Sequence, residues 1–380
     1  MKVILSVDPI RFPLTGIGRY TYELAKHLQI SDEVADLQFF SGRKFIPNLP
    51  VAEECAGNHH KIKQLVQGSR LASEIYRLLM PQLKAQALRG NESYIYHGPN
   101  FFLPPFAGPK VATFHDLSPF TWTQCHTPER IRYMQKELKQ TLNTANALIT
   151  DSEYTRKELA NYFSWPIEKI YTVPLACGEE FHPRSIEEVN PVLQQYGLQK
   201  NGYSLFVGTI EPRKNILRLL DAYATLPLNI RQRWPLVLTG YQGWRSEEIH
   251  ERIRKAESEG WAKYLGFLPA EQLPFLFSGS RVFVFPSLYE GFGLPVLEAM
   301  ASGVPVVCSN SSSLPEVVGS AALMTNAENV DHLSTLIEQA LQDDVWRKNA
   351  CEQGVNQSRK FSWERCAKQT TDVYKALLDN

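Results

Sequence analysis

The sequence has no excess of charge of either sign, because its 40 lysine and arginine residues are matched by 40 aspartate and glutamate residues. A general nucleic-acid-binding protein needs a basic field over its surface, so this balance argues against one. Any polyanion that the protein handles must be met by a local group of cations. With 380 residues, 43% of them apolar, the chain is long enough for two domains of common size.

The cysteines lack the spacing of a metal site or a redox pair. No CxxC pair occurs, and no histidine stands at zinc-ligand spacing from a cysteine. We therefore expect reduced thiols with structural roles, as is usual in the cytoplasm. The six positions are Cys55, Cys125, Cys177, Cys308, Cys351 and Cys366.

Long apolar runs are missing as well. The run from Val3 to Val7 is stopped by Asp8 and Pro9, too early for a signal peptide and far short of the roughly 20 residues of a membrane-spanning helix. We expect a cytoplasmic protein that can still touch a membrane surface.

What the chain does contain is a repeated alternation of short β-rich runs with amphipathic helical stretches, which predicts an α/β protein with parallel sheets. The predicted strands are Lys2 to Val7, Leu37 to Phe40, Tyr94 to His97, Lys110 to Phe114, Ala147 to Thr150, Ile170 to Val173, Tyr203 to Val207, Pro235 to Thr239, Ala262 to Leu265, Arg281 to Phe285 and Pro305 to Cys308. The predicted helices include Arg130 to Asn143, Tyr154 to Phe163, Ile216 to Thr225, Ala270 to Phe277, Leu294 to Ala301, Asp331 to Leu341 and Trp363 to Leu378.

The alternation lapses from Glu179 to Asn201, where Pro183, Pro191 and mixed charge replace periodic apolar residues. We place an interdomain linker there, between a domain of residues 1–180 and a domain of residues 200–361. Two doubly wound domains that face each other bring the carboxyl ends of their strands, and hence their ligands, to a shared cleft.

The first domain offers two candidate motifs. Gly16 and Gly18 lie in a strand-to-helix turn, where the backbone can approach an anion or a sugar closely. The third glycine of a dinucleotide fingerprint is missing, so NAD binding is disfavoured and a plain tight turn stays open. His115, with Asp116, ends a buried strand and can donate to a sugar hydroxyl or serve as a brace of the loop.

The second domain opens with the stretch VGTIEPRKN, which places Arg213 and Lys214 before a predicted helix. Cations at a helix N-terminus oppose the helix dipole and cost stability unless an anion lies between them. A diphosphate is a suitable anion, since Arg213 can bind it with two N–H groups and Lys214 as a point charge. A solvated charged turn is the alternative.

The strongest signal is EGFGLPVLE, from Glu290 to Glu298. A glycine-bearing loop leads from the strand ending at Phe285 into a helix with Pro295 in its first turn, the position where proline is tolerated. The amides of Phe292, Gly293 and Leu294 are then free to bind phosphate oxygens. The two carboxylates, one in the loop and one a turn inside the helix, reach different parts of one extended ligand.

These motifs together resemble the retaining GT-B glycosyltransferases of family 4, also called glycosyl transferases group 1. Further matching stretches, in the same order as in the family, include FHD, the segment of Asp151, Ser152, Glu153 and Thr155, GVPVV from Gly303 and LPEV from Leu314. The resemblance covers nearly the whole chain. It implies a GT-B fold of two Rossmann-like domains around a central cleft, with the first domain binding the acceptor and the second the nucleotide-sugar donor. The helix of residues 362–380 would cross back to the first domain.

The resemblance also implies roles for the site residues. Arg213 and Lys214 would hold the donor diphosphate, Glu298 the ribose hydroxyls and Glu290 the transferred sugar. His115 would lie beside that sugar. The remaining donor-binding positions that it implies are Gly16, Gly18, Gly240, Leu265, Phe292, Gly293 and Leu294. The family often has an arginine directly after the glycine of the second-domain turn, where this chain has Thr209, so one expected cation is missing.

The mechanism implied by the resemblance is front-face transfer with retention, in which the leaving phosphate takes the proton of the acceptor. The protein would contribute orientation and positive potential on the diphosphate. No DxD-like cluster lies beside the motifs, so we expect no metal and no cofactor. The nucleotide sugar is a substrate.

Within the family, the chain is most similar to bacterial mannosyltransferases that build O-antigen. This similarity implies GDP-mannose as the donor and a saccharide on a polyprenyl diphosphate as the acceptor. A UDP- or dTDP-sugar donor, with glucosyl, N-acetylglucosaminyl or rhamnosyl transfer, stays open. Two functions of other classes are a sugar phosphorylase or epimerase of the same architecture, for which no pyridoxal phosphate lysine motif is evident, and a non-catalytic nucleotide-sugar sensor.

A basic stretch between residues 59 and 89 suggests contact with an anionic membrane on the inner face of the cell membrane. Its cations outnumber its single acid, Glu74, and its apolar residues recur at helical spacing. A basic helix packed on its own domain is an equal alternative. The cations are Lys61, Lys63, Arg70, Arg77, Lys84 and Arg89, and the apolar residues are Leu71, Ile75, Leu78, Leu79 and Leu83.

Overall fold

Strands and helices alternate along the chain and build two sheets. The structure is a computed structural model that describes residues 1–51 and 70–379. In these residues the first sheet has the strand order β3-β2-β1-β4-β5-β6-β7 and the second has β10-β9-β8-β11-β12-β13. In these residues the strand pairs are parallel except for β2 and β3 at the sheet edge, which are antiparallel. In each sheet the order reverses beside the first strand, where doubly wound domains bind ligands.

The elements have the following bounds. The first domain contains β1 (Lys2–Ser6), α1 (Gly16–Gln29), β2 (Asp36–Ser41), β3 (Lys44–Ile46), α2 (Arg70–Leu88), β4 (Ile95–Gly98), β5 (Lys110–Phe114), α3 (Ser118–Thr121), α4 (Pro128–Thr144), β6 (Ala147–Thr150), α5 (Glu153–Phe163) and β7 (Ile170–Thr172). The second contains α6 (Ile186–Leu193), β8 (Ser204–Val207), α7 (Ile216–Thr225), α8 (Leu228–Arg233), β9 (Leu236–Thr239), α9 (Glu247–Ser258), β10 (Ala262–Tyr264), α10 (Leu273–Gly279), β11 (Val282–Phe285), α11 (Leu294–Ala301), β12 (Val306–Ser309), α12 (Leu314–Val318), β13 (Ala322–Thr325), α13 (Val330–Gln342) and α14 (Asp344–Ser358). The last helix is α15 (Trp363–Leu378).

The central strands carry apolar residues on both faces because helices cover both sides of each sheet. The four residues of β11, Val-Phe-Val-Phe, are all fully buried. The predicted strands and helices are confirmed to within three residues at each end, and the α/β fold with two doubly wound domains is confirmed as well. The carboxyl end of β1 leads into the turn before α1, and that of β8 leads into the turn before α7. These turns hold candidate site residues.

Two edge strands and the helix α6 are among the elements that were not predicted. Strands β3 and β13 lie at sheet edges and are only three and four residues long. The expectation of an irregular linker from Glu179 to Asn201 is wrong in its middle, since α6 lies there. Ser185 and Glu188 form a capping box that begins this helix. Val189 and Leu193 are buried one turn apart, and α6 packs on α10.

The last helix returns to the first domain. Tyr374 of α15 is hydrogen-bonded to Nδ1 of His97 in β4 at 2.6 Å, and Lys375 pairs with Glu33 at 2.7 Å. Burial lowers the pKa of His97 to about 3, so its ring is neutral. The two domains are thus joined at the linker and again at the end of the chain.

The basic stretch from 59 to 89 is only partly described. Residues 59–69, with Lys61 and Lys63, lie outside the described residues, and so do the side chains of residues 70–78. In the described part, Lys84 pairs with Asp8 of its own domain at 2.7 Å, whereas Leu79 is half exposed. No helix in residues 1–51 and 70–379 is both long and apolar enough to span a bilayer. Contact with a membrane stays a prediction.

Candidate functional site

Arg213 and Lys214 lie in a tight turn between β8 and α7. A single 3₁₀ turn, residues 212–214, holds both cations, and Asn215 ends it with a left-handed backbone, φ 60°. The Asn215 side chain is buried and donates to the carbonyls of Pro286 and Ala327, at 2.9 and 2.6 Å. Because the turn is fixed in this way to two other loops, the cations have little freedom to move.

Glu290 lies between these two cations. Its carboxylate accepts hydrogen bonds from Lys214 Nζ at 2.6 Å, from Ser287 Oγ at 2.5 Å and from Arg213 Nη1 at 3.3 Å. Lys214 and Glu290 are only 8% and 7% exposed. Burial alone would raise the pKa of Glu290, but the Lys214 and Arg213 cations hold it below its ordinary value. Burial lowers the pKa of Lys214, and Glu290 acts against that shift.

Two adjacent cations at a helix N-terminus require an anion. The protein itself supplies part of that negative charge, through the Glu290 carboxylate. Glu211 accepts two further hydrogen bonds from Arg213, at 3.0 and 2.7 Å. Although burial disfavours its charge, Glu290 and Glu211 raise the pKa of Arg213. A solvated charged turn is excluded, since Lys214 is buried and Arg213 nearly so. The role of the pair on a diphosphate stays a prediction.

The loop that carries Glu290 leads directly into α11. Gly293 precedes the helix with φ 115°, a conformation that side chains rarely adopt, and Leu294 is the first helical residue. The amides of Phe292, Gly293 and Leu294 have no carbonyl acceptor in the described part of the chain, as expected of a helix N-terminus. Gly16 at the start of α1 lies opposite, and a Cβ on it would be 3.7 Å from Leu294 Cδ1. The helix starts of both domains therefore meet here, whereas Gly18 packs on the Pro9 carbonyl.

Glu298 lies one turn inside α11, as the sequence predicts, and is partly buried. Its carboxylate makes no hydrogen bond within residues 1–51 and 70–379. Burial raises its pKa to about 7; Arg19 opposes the shift and Glu180 adds to it. Arg19 of α1 in turn pairs with Glu180 at 2.7 Å. Glu298 is thus a carboxyl group free to accept hydrogen bonds from a ligand.

His115 follows β5, with both ring nitrogens bonded inside the protein. Nδ1 meets Asp151 Oδ2 at 2.8 Å and Nε2 meets the Pro99 carbonyl at 2.8 Å. Burial alone would lower the pKa of His115, but Asp151 raises it above its ordinary value. A hydrogen bond from His115 to a sugar hydroxyl requires Nε2 to leave the Pro99 carbonyl. In this structure His115 therefore braces the loop, and its contact with the sugar stays a prediction.

Gly240 and Leu265 lie side by side after β9 and β10. The Gly240 N–H donates to the Gly266 carbonyl, and the Leu265 N–H donates to the Leu238 carbonyl, each at 2.9 Å. Beside them the rings of Tyr241 and Phe267 stack with centroids 3.8 Å apart, and both are about half exposed. Phe267 lies in the stretch 264–268, where the resemblance places the pocket for the base, whereas Tyr241 and its stacking on Phe267 were missed because the two residues are far apart in the chain.

Sequence reasoning also missed the contacts that join the Glu290 loop to the first domain. Ser152 and Thr155 were noted only as part of a matching stretch, yet both hydroxyls bond the Gly291 carbonyl. Ser-x-x-Thr at a helix start is a recognisable cap, but the partner in the second domain has no sequence signal. In residues 1–51 and 70–379 no three His, Cys, Asp or Glu side chains come together in a way that could hold a metal ion. That transfer needs none stays a prediction.

Comparisons with known proteins agree with this architecture. The family model "Glycosyltransferase Family 4" matches residues 14–177, and "Glycosyl transferases group 1" matches residues 192–361. The O-antigen chain mannosyltransferase B of Escherichia coli is 48% identical over 381 residues, covering 99% of this chain and 100% of that protein. The serotype-specific mannosyltransferase WbdA of Escherichia coli is 34% identical over 279 residues, or 71% of this chain and 34% of that protein.

Solved structures show the same fold at low sequence identity. The glycosyltransferase WaaG, which takes part in lipopolysaccharide biosynthesis, has a TM-score of 0.72 with 14% identity, over 98% of this chain and 99% of that chain. HepE of Anabaena, in complex with UDP and glucose, has a TM-score of 0.72 with 18% identity, over 99% of both chains. The two matching halves, the full-length relative and the shared fold together mean that the chain belongs to the glycosyltransferases of family 4.

Proposed function

We propose that this glycosyltransferase transfers mannose from GDP-mannose to a saccharide acceptor in the assembly of O-antigen, with retention at the anomeric carbon. The mannosyl group and the pathway are supported by the full-length similarity to a protein named as an O-antigen mannosyltransferase. The observation that carries the transfer chemistry is that Arg213 and Lys214 bond the loop of Tyr289 and Glu290, which leads to the free amides at the start of α11.

The donor would lie across these groups. Its diphosphate would bind Arg213, Lys214 and the amides of Phe292, Gly293 and Leu294, which combines two cations with the positive end of a helix. Glu298 would accept hydrogen bonds from the ribose hydroxyls. The base would bind at Gly240 and Leu265, beside the stacked rings of Tyr241 and Phe267.

Transfer would then depend on the leaving group. The bond from C1 to the phosphate oxygen breaks while a bond from C1 to the acceptor oxygen forms on the same face, and the acceptor proton passes to the departing phosphate. Cations already in place stabilise the charge that develops on that phosphate. Glu290 would orient the transferred sugar, and His115 would approach it from the first domain.

The acceptor is proposed to be a saccharide on a polyprenyl diphosphate at the inner face of the cell membrane, with residues 59–89 touching anionic lipid. The half-exposed Leu79 is compatible with such a contact. The contact is tested by measuring binding of the full chain to vesicles with and without anionic lipid. Equal binding to both would contradict it.

The donor is tested by calorimetry or saturation-transfer NMR with GDP-mannose, UDP-sugars and dTDP-sugars in parallel. We expect GDP-mannose to bind and the others to bind more weakly. Binding of a UDP-sugar without binding of GDP-mannose would make the donor assignment wrong. Retention is read from the anomeric configuration of the product by NMR.

A further inference from the structure

The two residues on either side of Glu290 are both held by the first domain. On one side, the Gly291 carbonyl accepts hydrogen bonds from Ser152 Oγ at 2.7 Å and from Thr155 Oγ1 at 3.2 Å. On the other side, the Tyr289 hydroxyl donates to Glu158 Oε2 at 2.5 Å and accepts from the Leu117 N–H at 2.9 Å.

The donors and acceptors on the first domain lie mostly on one helix. Ser152 is the N-cap of α5, and Thr155 and Glu158 follow at intervals of three residues, so all three share one face of the helix. Glu316 of the second domain accepts from the first free amides of α5, those of Glu153 and Tyr154, at 2.8 and 2.7 Å. The start of α5 is therefore docked on the second domain at two places.

Tyr289 is fully engaged in this contact. It is 2% exposed, and its ring contacts those of Trp122 and Tyr154 of the first domain, with centroid distances of 6.0 and 6.2 Å. Its carbonyl accepts a hydrogen bond from Arg213 Nη1 at 2.7 Å. Tyr289 thus contacts the first domain through its side chain and the diphosphate-binding turn through its backbone.

The Glu290 carboxylate, by contrast, is held by the second domain alone, through Lys214, Arg213 and Ser287. The backbone N–H of Glu290 donates to Ser312 Oγ, also in the second domain, at 2.8 Å. The segment 289–291 is consequently held by hydrogen bonds to both domains.

We propose that Tyr289 and Glu158 are positioning residues, which make the placement of Glu290 depend on closure of the two domains. The proposal rests on the proposed function in one respect, namely that Glu290 acts on the transferred sugar. It predicts that loss of the Tyr289 hydroxyl impairs transfer while the donor still binds, because the proposed diphosphate-binding groups all belong to the second domain.

The test compares Tyr289→Phe, Glu158→Ala and their double variant with wild type, using whichever donor wild type transfers. Tyr162→Phe is the matched control, since Tyr162 is 51% exposed on the same helix. Tyr289→Phe removes two hydrogen bonds, one of them to a charged group, so we expect kcat to fall about tenfold or more. Donor affinity by calorimetry should stay within about threefold. Hydrogen exchange at Leu117, Glu153 and Tyr154 should become faster.

Two further comparisons separate positioning from mere stabilisation. Glu158→Gln keeps an oxygen that accepts from Tyr289, so it should retain most of the kcat that Glu158→Ala loses. The double variant should be no worse than Tyr289→Phe alone, because the hydrogen bond that Glu158→Ala breaks is already lost in Tyr289→Phe. Wild-type kcat in Tyr289→Phe, a loss confined to donor affinity, or losses that multiply would each overturn the proposal. A different donor sugar would refute the proposed function and leave these ratios interpretable.

Discussion

Replacing Lys214 by methionine removes one charge from a buried group of two cations and two carboxylates. Its Nζ atom lies 2.6 Å from Glu290 Oε1 and 5.0 Å from the centre of the Phe285 ring. Methionine fills a similar volume without charge. The variant leaves the Glu290 carboxylate buried with Ser287 Oγ at 2.5 Å and Arg213 Nη1 at 3.3 Å.

The expected cost in folding stability follows from that remainder. Removing one partner of a buried ion pair typically costs about 3–5 kcal/mol because the other charge stays desolvated. Two of the three partners of Glu290 remain, so we expect the lower end, about 3 kcal/mol. Folded domains have about 5–15 kcal/mol of stability. The variant should therefore stay folded at room temperature with a lower denaturation midpoint.

The expected loss of transition-state stabilisation is of similar size, about 3–4 kcal/mol. Under the proposed function, Lys214 stabilises charge on the leaving diphosphate, and loss of one preorganised group of this kind lowers kcat by about 100- to 1000-fold. Stability is measured by chemical denaturation and transfer by release of the nucleoside diphosphate. Both are measured on the same preparations.

The double variant Lys214→Met with Glu290→Gln distinguishes the two effects. Both charges are then gone, so most of the lost stability should return, while transfer should stay as low as in the single variant or fall further. Transfer at the wild-type rate in Lys214→Met would refute the diphosphate role. Recovery of transfer in the double variant would show that Lys214 serves only to neutralise Glu290.

Two more predictions concern the loop and the helix that follow this turn. Gly291→Ala should lower transfer by about a hundredfold or more, because its Cβ would lie 1.7 Å from the His115 carbonyl oxygen; Gly354→Ala, with 3.4 Å to Met300, is the control and should be active. Burial raises the pKa of Glu298 from 4.5 to about 7, so the folded state keeps a proton that the unfolded chain has lost. This contribution to stability is complete below the unfolded pKa and is lost as pH rises through 7. Denaturation should show Glu298→Gln equal to wild type near about pH 4 and more stable near about pH 8, by at most about 3 kcal/mol. An unchanged difference between these pH values would mean that folding does not shift the pKa of Glu298.

The sequence allowed much of this site to be located in advance. Glu290, Glu298, Arg213 and Lys214 each stand after a strand whose apolar run is unmistakable, and the carboxyl ends of such strands meet at one edge of a parallel sheet. Pro295 marked the start of α11 because proline is tolerated at that position. Local signals of this kind depend on neighbours in the chain.

The pairings were beyond sequence reasoning for a different reason. Lys214 and Glu290 are 76 residues apart, and nothing in either motif states that one neutralises the other. The Tyr289 contact with Glu158 joins two domains, so it depends on their relative position. The helix α6 was missed although its capping box was present, because Pro191 was read as a helix breaker.

The arrangement of charges has a consequence for how a donor enters. Arg213 and Lys214 are balanced by Glu211 and Glu290, so a diphosphate meets a turn that is locally neutral. Under the proposed function, it must compete with the Glu290 carboxylate for Lys214. The residues on both sides of Glu290 are held by the first domain, Tyr289 through its side chain and Gly291 through its carbonyl, so release of the carboxylate is a side-chain rotation within a fixed loop. Diphosphate binding and the freeing of Glu290 for the sugar are then one event, which ties the carboxylate to the presence of donor.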